Sequence, residues 1–79
     1  MLCIFVQVRC RPSFAYRVAE ALADRELHSE LYSTSGEFDL LAKFYVPEGE
    51  DVGRFVNSAF EGLDGVERTM TTLTFNAFK

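Results

Sequence analysis

The spacing of apolar positions changes several times along the chain, and each spacing predicts an element. Residues 2–9 (LCIFVQVR) are almost all apolar and rich in β-branched and aromatic side chains, which predicts a strand buried on both faces. Apolar residues then recur at helical spacing over residues 12–24. Pro12 suits the first turn of that helix, where a missing N–H costs nothing.

In the rest of the chain, the spacing of apolar residues again changes between that of strands and that of helices. Residues 27–33 and 38–46 read as strands around a turn at residues 34–37, and Pro47 to Glu50 break the third strand. The second helix has the clearest apolar stripe, formed by Val52, Phe55, Val56, Ala59, Phe60 and Leu63. Gly65 follows its end, and a threonine-rich strand covers residues 66–75.

The resulting order is β-α-β-β-α-β. With right-handed crossovers this order predicts an α+β, ferredoxin-like sandwich, in which two helices cover one face of a four-stranded antiparallel sheet. The length of 79 residues allows one domain, spanning residues 1–79.

Two helices leave the other face of such a sheet uncovered. Strands one and three, expected at the centre, carry apolar residues on both faces, so a set such as Leu41 with Tyr45, or Cys3 with Phe5, is exposed. A patch of several hundred Å² is unusual on a soluble monomer. We therefore expect dimerisation sheet to sheet.

Charge and cysteine content exclude several classes of protein. Eight basic residues against twelve acidic ones give a net charge of −4, which disfavours direct DNA binding through phosphates. The sequence contains neither an apolar stretch of membrane-spanning length nor a leader pattern, so a soluble cytoplasmic protein is expected. Cys3 and Cys10 lie too far apart on one strand to pair, and with a single histidine they form no metal site. No cofactor is expected.

Two segments resemble a known family. Residues 32–43 (YSTSGEFDLLAK) are similar to the turn-and-strand signature of the Lrp/AsnC (feast/famine) ligand-binding domain, in which a glycine, any residue, an aromatic and an aspartate precede an apolar strand. Residues 63–71 (LDGVERTMT) are similar to the end of that family's second helix and its Gly-Val-x-x-Thr-x-Thr final strand. The resemblance extends over essentially the whole chain.

The resemblance implies an assembly and a function. Domains of this kind dimerise through their sheets, and the dimers associate into octamers or similar rings that bind amino acids between dimers. Most relatives carry an N-terminal helix-turn-helix, whereas here the first strand follows Met1 directly. The resemblance therefore implies a stand-alone amino-acid sensor that does not bind DNA and acts by co-assembly with full-length regulators.

Residue chemistry suggests where an amino acid would bind. Gly36 allows backbone N–H groups to approach a carboxylate, and Asp39 can accept a hydrogen bond from an ammonium. Glu37 and Phe38 flank this position, and the last strand of a neighbouring dimer would add Thr71, Thr72, Leu73 and Thr74. Each residue also has a structural interpretation. Gly36 suits a positive-φ turn, Asp39 a local hydrogen bond, and the threonines a strand.

Two other classes remain as alternatives. Small dimeric α/β-barrel enzymes, such as monooxygenases and isomerases, share the expected fold. His28 is the only histidine here, and the strand face that it shares with Glu30 and Tyr32 is the strongest indication of catalysis in the sequence. No nucleophile–base–orienter set is evident, so we do not expect an enzyme. An ACT-like regulatory module would carry a glycine-rich first loop, where this chain has residues 10–14 (CRPSF).

Overall fold

The computed structural model describes residues 1–78 of the chain. Six elements follow one another: β1 (Leu2–Cys10), α1 (Ala15–Asp24), β2 (Glu30–Ser33), β3 (Leu40–Val46), α2 (Val52–Phe60) and β4 (Val66–Leu73). The four strands form one antiparallel sheet in the order β2-β3-β1-β4. The predicted ferredoxin-like α+β fold is confirmed, including the central position of the first and third strands.

The core lies between the helices and one face of the sheet. Alternate residues of the two central strands point into it, as the period of two in a strand requires. The Phe44 ring packs edge-on against Phe55 and Phe60 of the second helical region, with centroids 5.7 and 6.1 Å apart. The buried apolar set comprises Ile4, Val6, Val8, Cys10, Val18, Leu22, Phe38, Leu40, Ala42, Phe44, Val46, Val56 and Ala59.

The opposite side of the sheet carries no helix, and we call it the open face. It carries the other alternate residues of the strands, including the Cys3, Phe5, Leu41 and Tyr45 set expected from the sequence. Its large side chains are accessible: the exposed fractions are 54% for Tyr32, 42% for Tyr45 and 46% for Met70. The apolar open face predicted from the two-helix argument is therefore confirmed.

Several boundaries differ from the predicted ones. The first helix starts at Ala15, not Pro12, because Ser13 has a left-handed backbone (φ 69°) that a helix cannot include. The second helix stops at Phe60 because Glu61 is extended and Gly62 has a φ of 76°.

Three of the strands are shorter than predicted, whereas β1 extends one residue further, to Cys10. β2 begins at Glu30 rather than residue 27, since Glu26 has a left-handed φ of 57° and Leu27 is exposed to solvent. β3 begins after Asp39, whose carbonyl accepts a hydrogen bond from Thr34 within the preceding turn. β4 ends at Leu73, two residues early.

Two contacts fix the ends of the helices. The Arg25 guanidinium, just after α1, donates to the carbonyl oxygens of Ser58 and Ala59 in the last turn of α2 and to that of Glu61 just after it. These carbonyls have no partner within their own helix, so one side chain ties the two helices together. Just before β4, Gly65 has a φ of 101° and packs against the ring of Phe14, the residue that precedes α1.

Replacing Gly65 with alanine tests this packing. A Cβ there would lie 2.5 Å from Phe14 Cδ2 in a backbone conformation that L-residues avoid. We expect Gly65→Ala to lower the free energy of unfolding by about 3 kcal/mol or more, from strain and overpacking together. Urea denaturation measures the loss. Gly49→Ala is the matched control, because Gly49 has a similar φ of 86° but open space around it, and about 1 kcal/mol is expected. Equal losses in the two variants would contradict the assigned role of the Phe14 contact.

Candidate functional site

Asp39 connects three segments at one end of the sheet. Its carboxylate Oδ2 accepts a hydrogen bond from the Cys10 N–H at 2.7 Å, and its own N–H donates to Val8 O at 2.8 Å. Its carbonyl oxygen accepts from the Thr34 N–H at 2.9 Å. The aspartate therefore has a structural role that the sequence suggested only in part, since the carboxylate binds the neighbouring strand and not its own turn.

Gly36 and Phe38, just before Asp39, have different structural roles. Phe38 is buried, with 6% of its surface exposed, and the Arg68 guanidinium covers its ring at 5.1 Å from the centroid. Gly36 is exposed with a φ of 97°, and no atom lies within 4 Å of the place where a Cβ would be. Gly36 is therefore required for its backbone conformation, whereas Phe38 is buried beneath the Arg68 guanidinium, outside the main core cluster.

A β-bulge brings another carboxylate to the same end of the sheet. Arg9 pairs with Arg68 across β1 and β4, but the next residue, Cys10, pairs with Val66. Glu67 is thus the extra residue of the bulge, a feature that commonly redirects a side chain beside a functional site. Its Oε1 lies 3.4 Å from Arg9 Nε.

Arg9 and Arg68, which face each other across β1 and β4, each contact an acidic side chain. Like charges directly opposite in a sheet repel. Here Arg68 Nη2 lies 3.3 Å from Glu37 Oε2, and Arg9 donates to the Glu37 carbonyl oxygen at 3.3 Å. These pairs are about half exposed, so each contributes little to stability. Together, the side chains of Arg9, Glu37, Glu67 and Arg68 form a charged array in which positive and negative groups alternate.

These residues surround a concave site of about 410 Å³, which we call the charged pocket. Its lining consists of Arg9, Cys10, Pro12, Gly36, Glu37, Asp39 and Glu67. The volume is within the range of small-molecule sites. Burial, and then the charges of Asp39 and Glu67, raise the pKa of the Cys10 thiol, so at neutral pH it is a protonated wall of the pocket and not a nucleophile.

The threonine-rich strand does not share this pocket. Thr71 and Leu73 line a separate groove of about 430 Å³ along α2, whereas Thr72 pairs with Phe5 on the open face. The Thr74 hydroxyl donates to Cys3 O at 2.6 Å. The strand from Glu67 to Leu73 spans roughly 20 Å. One chain therefore does not bring the two predicted groups of site residues together.

The sequence did not predict that Arg9, Glu67 and Arg68 belong to the charged array. The bulge that directs Glu67 into the pocket leaves no recognisable pattern in the sequence. Arg9 ends the predicted first strand, and that position could have suggested a ligand partner.

The residues considered for catalysis, His28, Glu30 and Tyr32, do not line the charged pocket. His28 lies just before β2, half-buried, and its Nδ1 atom has no hydrogen-bond partner among residues 1–78. Glu30 and Tyr32 bond to each other, with Tyr32 Oη 2.6 Å from Glu30 Oε1, and Glu30 also pairs with Lys43.

Within residues 1–78, no group of three or more histidine, cysteine or acidic side chains could hold a metal ion. In the same range no helix has the length and apolarity required to cross a membrane.

Comparison with known proteins identifies the domain. A family model described as the Lrp/AsnC ligand binding domain matches residues 3–79. The chain belongs to this family. The resemblance found in the two sequence signatures is thereby confirmed. Lrp/AsnC ligand-binding domains bind small effectors and oligomerise, and they are generally regulatory rather than enzymatic.

Three relatives define how far the similarity extends. The HTH-type transcriptional regulator LrpA of Pyrococcus abyssi is 29% identical over 72 residues, which are 91% of this chain and 51% of the relative. This chain thus spans about half the length of that regulator. TTHA0845 from Thermus thermophilus is 34% identical, with a TM-score of 0.87 over 100% of this chain and 99% of its own. NMB0573 from Neisseria meningitidis, solved as an L-Met complex, is 18% identical with a TM-score of 0.76 over 99% of this chain and 52% of its own, and shares the fold.

Asp39→Ala and Asp39→Asn separate the structural from the electrostatic role of this residue. Removing the carboxylate leaves the Cys10 N–H without its partner, so we expect Asp39→Ala to cost about 1.5–3 kcal/mol in the free energy of unfolding. Asparagine keeps an accepting oxygen in place and should cost less than half as much. Urea denaturation of both variants measures the difference. If alanine and asparagine cost the same, the Cys10 hydrogen bond is not what makes the residue stabilising.

Proposed function

We propose that this domain senses a free amino acid in the charged pocket and acts on transcription through the assembly it forms. The observation that carries the proposal is the presence of both charge signs in one small concave site. Two guanidinium groups and three carboxylates line or border it. A zwitterion is the small ligand that uses both signs at once.

The ligand's two charged groups can be assigned to different side chains of the pocket. The Arg9 guanidinium, half exposed, offers a forked donor for the ligand carboxylate, and the open backbone at Gly36 lets N–H groups approach the same carboxylate. Asp39 uses only Oδ2 for Cys10 among the described hydrogen bonds. Its Oδ1, with Glu67, is assigned to the ligand ammonium.

The charged pocket is partly open to solvent, which is why we assign its completion to a neighbour. We propose that copies first pair through their open faces, and that such dimers then associate in an octamer or similar ring. The last strand of the next dimer would supply the hydroxyls of Thr71, Thr72 and Thr74 and the apolar surface of Leu73. A site between dimers is proposed because, within one chain, those residues lie roughly 13–23 Å along the strand from Glu67.

Ligand size sets the expected affinity. An amino acid of about nine heavy atoms, at roughly 0.5–0.8 kcal/mol per atom, gains about 4.5–7 kcal/mol on binding. This corresponds to dissociation constants from roughly sub-millimolar to about ten micromolar. Such affinities suit a sensor that follows the concentration of a nutrient.

The relatives support the regulatory part of the proposal. NMB0573 was solved with L-Met, and LrpA carries the name of an HTH-type transcriptional regulator. The net charge of −4 argues against binding of DNA phosphates by this domain itself. We therefore propose that it acts in the cytoplasm through full-length Lrp/AsnC regulators with which it co-assembles.

A thermal-shift screen against the common amino acids, followed by calorimetric titration of each one that shifts the melting temperature, tests the sensing function. At ten times its dissociation constant an effector stabilises the folded state by about 1.4 kcal/mol, or roughly 5–10 °C in melting temperature for a domain of this size. We expect at least one amino acid to do so. Asp39→Asn and Arg9→Gln should each weaken its binding by about tenfold or more, since each removes one charge-assisted contact.

The matched control is Asp24→Asn, the same chemical change at the exposed end of α1, which should bind like the wild type. Asp39→Asn is preferred to alanine because it keeps the Cys10 hydrogen bond. If no amino acid shifts the melting temperature, the sensing proposal is wrong. If one does but both variants respond fully, the ligand binds outside the charged pocket.

A further inference from the structure

The charged pocket contains more negative than positive charge. One guanidinium and three carboxylates line it, those of Arg9, Glu37, Asp39 and Glu67. Arg68 borders the pocket and pairs with Glu37 at 3.3 Å, which still leaves one carboxylate in excess. A ligand without net charge therefore leaves the filled pocket negative.

The carboxylate in excess is that of Asp39. Among residues 1–78, the other two carboxylates each form an ion pair with a guanidinium, whereas that of Asp39 accepts from the Cys10 N–H at 2.7 Å. Arg11, the next residue along the chain, pairs with Asp64 at 2.9 Å and so is already matched by a carboxylate. Closing the pocket to water without a further cation would bury the charge of Asp39 unpaired, which is costly.

An amino acid with an uncharged side chain matches Asp39 but creates a new excess. Its ammonium pairs with Asp39, while its carboxylate takes the Arg9 guanidinium, whose partner in the free chain is Glu67 at 3.4 Å. Glu67 then shares one guanidinium with a second anion, so its own charge is no longer matched. The residues assigned to the closing strand, 71–74, are threonines and a leucine and carry no charge. A second cation on the ligand is what restores the balance.

The two carboxylates are placed to receive both ends of one ligand. Asp39 immediately precedes β3 and Glu67 belongs to β4, and β1 lies between these strands in the sheet. Strands on either side of a third are about 10 Å apart. The two amino groups of an extended lysine are about 7 Å apart, since six single bonds join them, and a hydrogen bond adds about 3 Å at each end. Both carboxylates act on the Cys10 thiol between them, because after burial it is their charges that raise its pKa.

We propose that the effector of the charged pocket is a basic amino acid, such as lysine, ornithine or arginine. Its α-ammonium pairs with Asp39, its α-carboxylate with Arg9 and its side-chain cation with Glu67. In this arrangement Glu67 leaves the α-ammonium to Asp39 alone. The inference rests on the proposed sensing function and adds the class of ligand. A pocket with excess negative charge also concentrates cations near its entrance.

The lining also disfavours apolar amino acids. Among the described residues that line the pocket, only Pro12 and Cys10 have apolar side chains, and the others are charged or glycine. A leucine or phenylalanine side chain would displace water from carboxylates without replacing its hydrogen bonds. A long basic side chain instead places its methylene groups against Pro12 and the assigned Leu73 of the next dimer, and keeps its charge at the end.

Paired ligands test the class on the wild-type protein. L-Norleucine has the stem of L-lysine without the side-chain amine, and L-citrulline is the uncharged counterpart of L-arginine. We expect the basic member of at least one pair, titrated calorimetrically, to bind about tenfold or more tightly than its counterpart, since one charge-assisted contact distinguishes them. Cadaverine, which is lysine without its carboxylate, should bind about tenfold more weakly than lysine because it makes no contact with Arg9.

A variant of Glu67 tests where the preference comes from. Glu67→Gln should weaken binding of the basic amino acid by about tenfold and should not weaken binding of its uncharged counterpart, so the preference disappears. Glu20→Gln is the matched control, because it makes the same change in net charge at an exposed position of α1, and it should keep the full preference. Circular dichroism establishes that both variants are folded.

The outcomes distinguish this inference from the function on which it rests. An uncharged amino acid that binds as tightly as the basic ones, and is weakened by Asp39→Asn, would overturn the basic class and leave sensing in the charged pocket standing. A basic preference that survives in Glu67→Gln, or cadaverine that binds as tightly as lysine, would also overturn it. If no amino acid binds, both proposals are wrong. Tighter binding of the basic member, lost in Glu67→Gln and kept in Glu20→Gln, would support the inference.

Discussion

Two helices cannot cover both sides of a four-stranded sheet, and most features of this protein follow from that limit. The central strands β1 and β3 are apolar on both faces. One set of their side chains is buried under the helices, and the other forms the open face. A small domain has little core to spare, so covering the second face by the proposed association would both stabilise the fold and create a larger assembly.

The charged pocket depends on the same sheet. It forms where β3 begins, β1 ends and β4 is bulged, so its side chains come from three strands whose spacing is fixed by backbone hydrogen bonds. Asp39 has two roles there, since one carboxylate oxygen holds β1 and we assign the other to a ligand.

The sequence was sufficient for the element order, the sheet topology and the apolar open face, because these depend on hydrophobic periodicity alone. It misplaced the start of α1, since nothing in the local pattern reveals that Ser13 adopts a left-handed backbone. It named Asp39 as a site residue, but in place of the local hydrogen bond offered as the structural alternative, the structure shows a bond from Cys10 of β1. Glu67 was missed because a bulge depends on pairing between distant strands, and the distance between Asp39 and the threonines of β4 likewise emerges only in three dimensions.

The most direct test of the account measures whether the open face is covered in solution. Cys3 lies on that face, partly exposed in the single chain, whereas Cys10 is buried and its pKa is raised, so a thiol reagent at neutral pH reports on Cys3. The account predicts that the wild-type labelling rate falls as protein concentration rises, and that Phe5→Glu, which places a charge in the face, labels rapidly at every concentration. A wild-type rate that is independent of concentration and equal to that of the variant would contradict it.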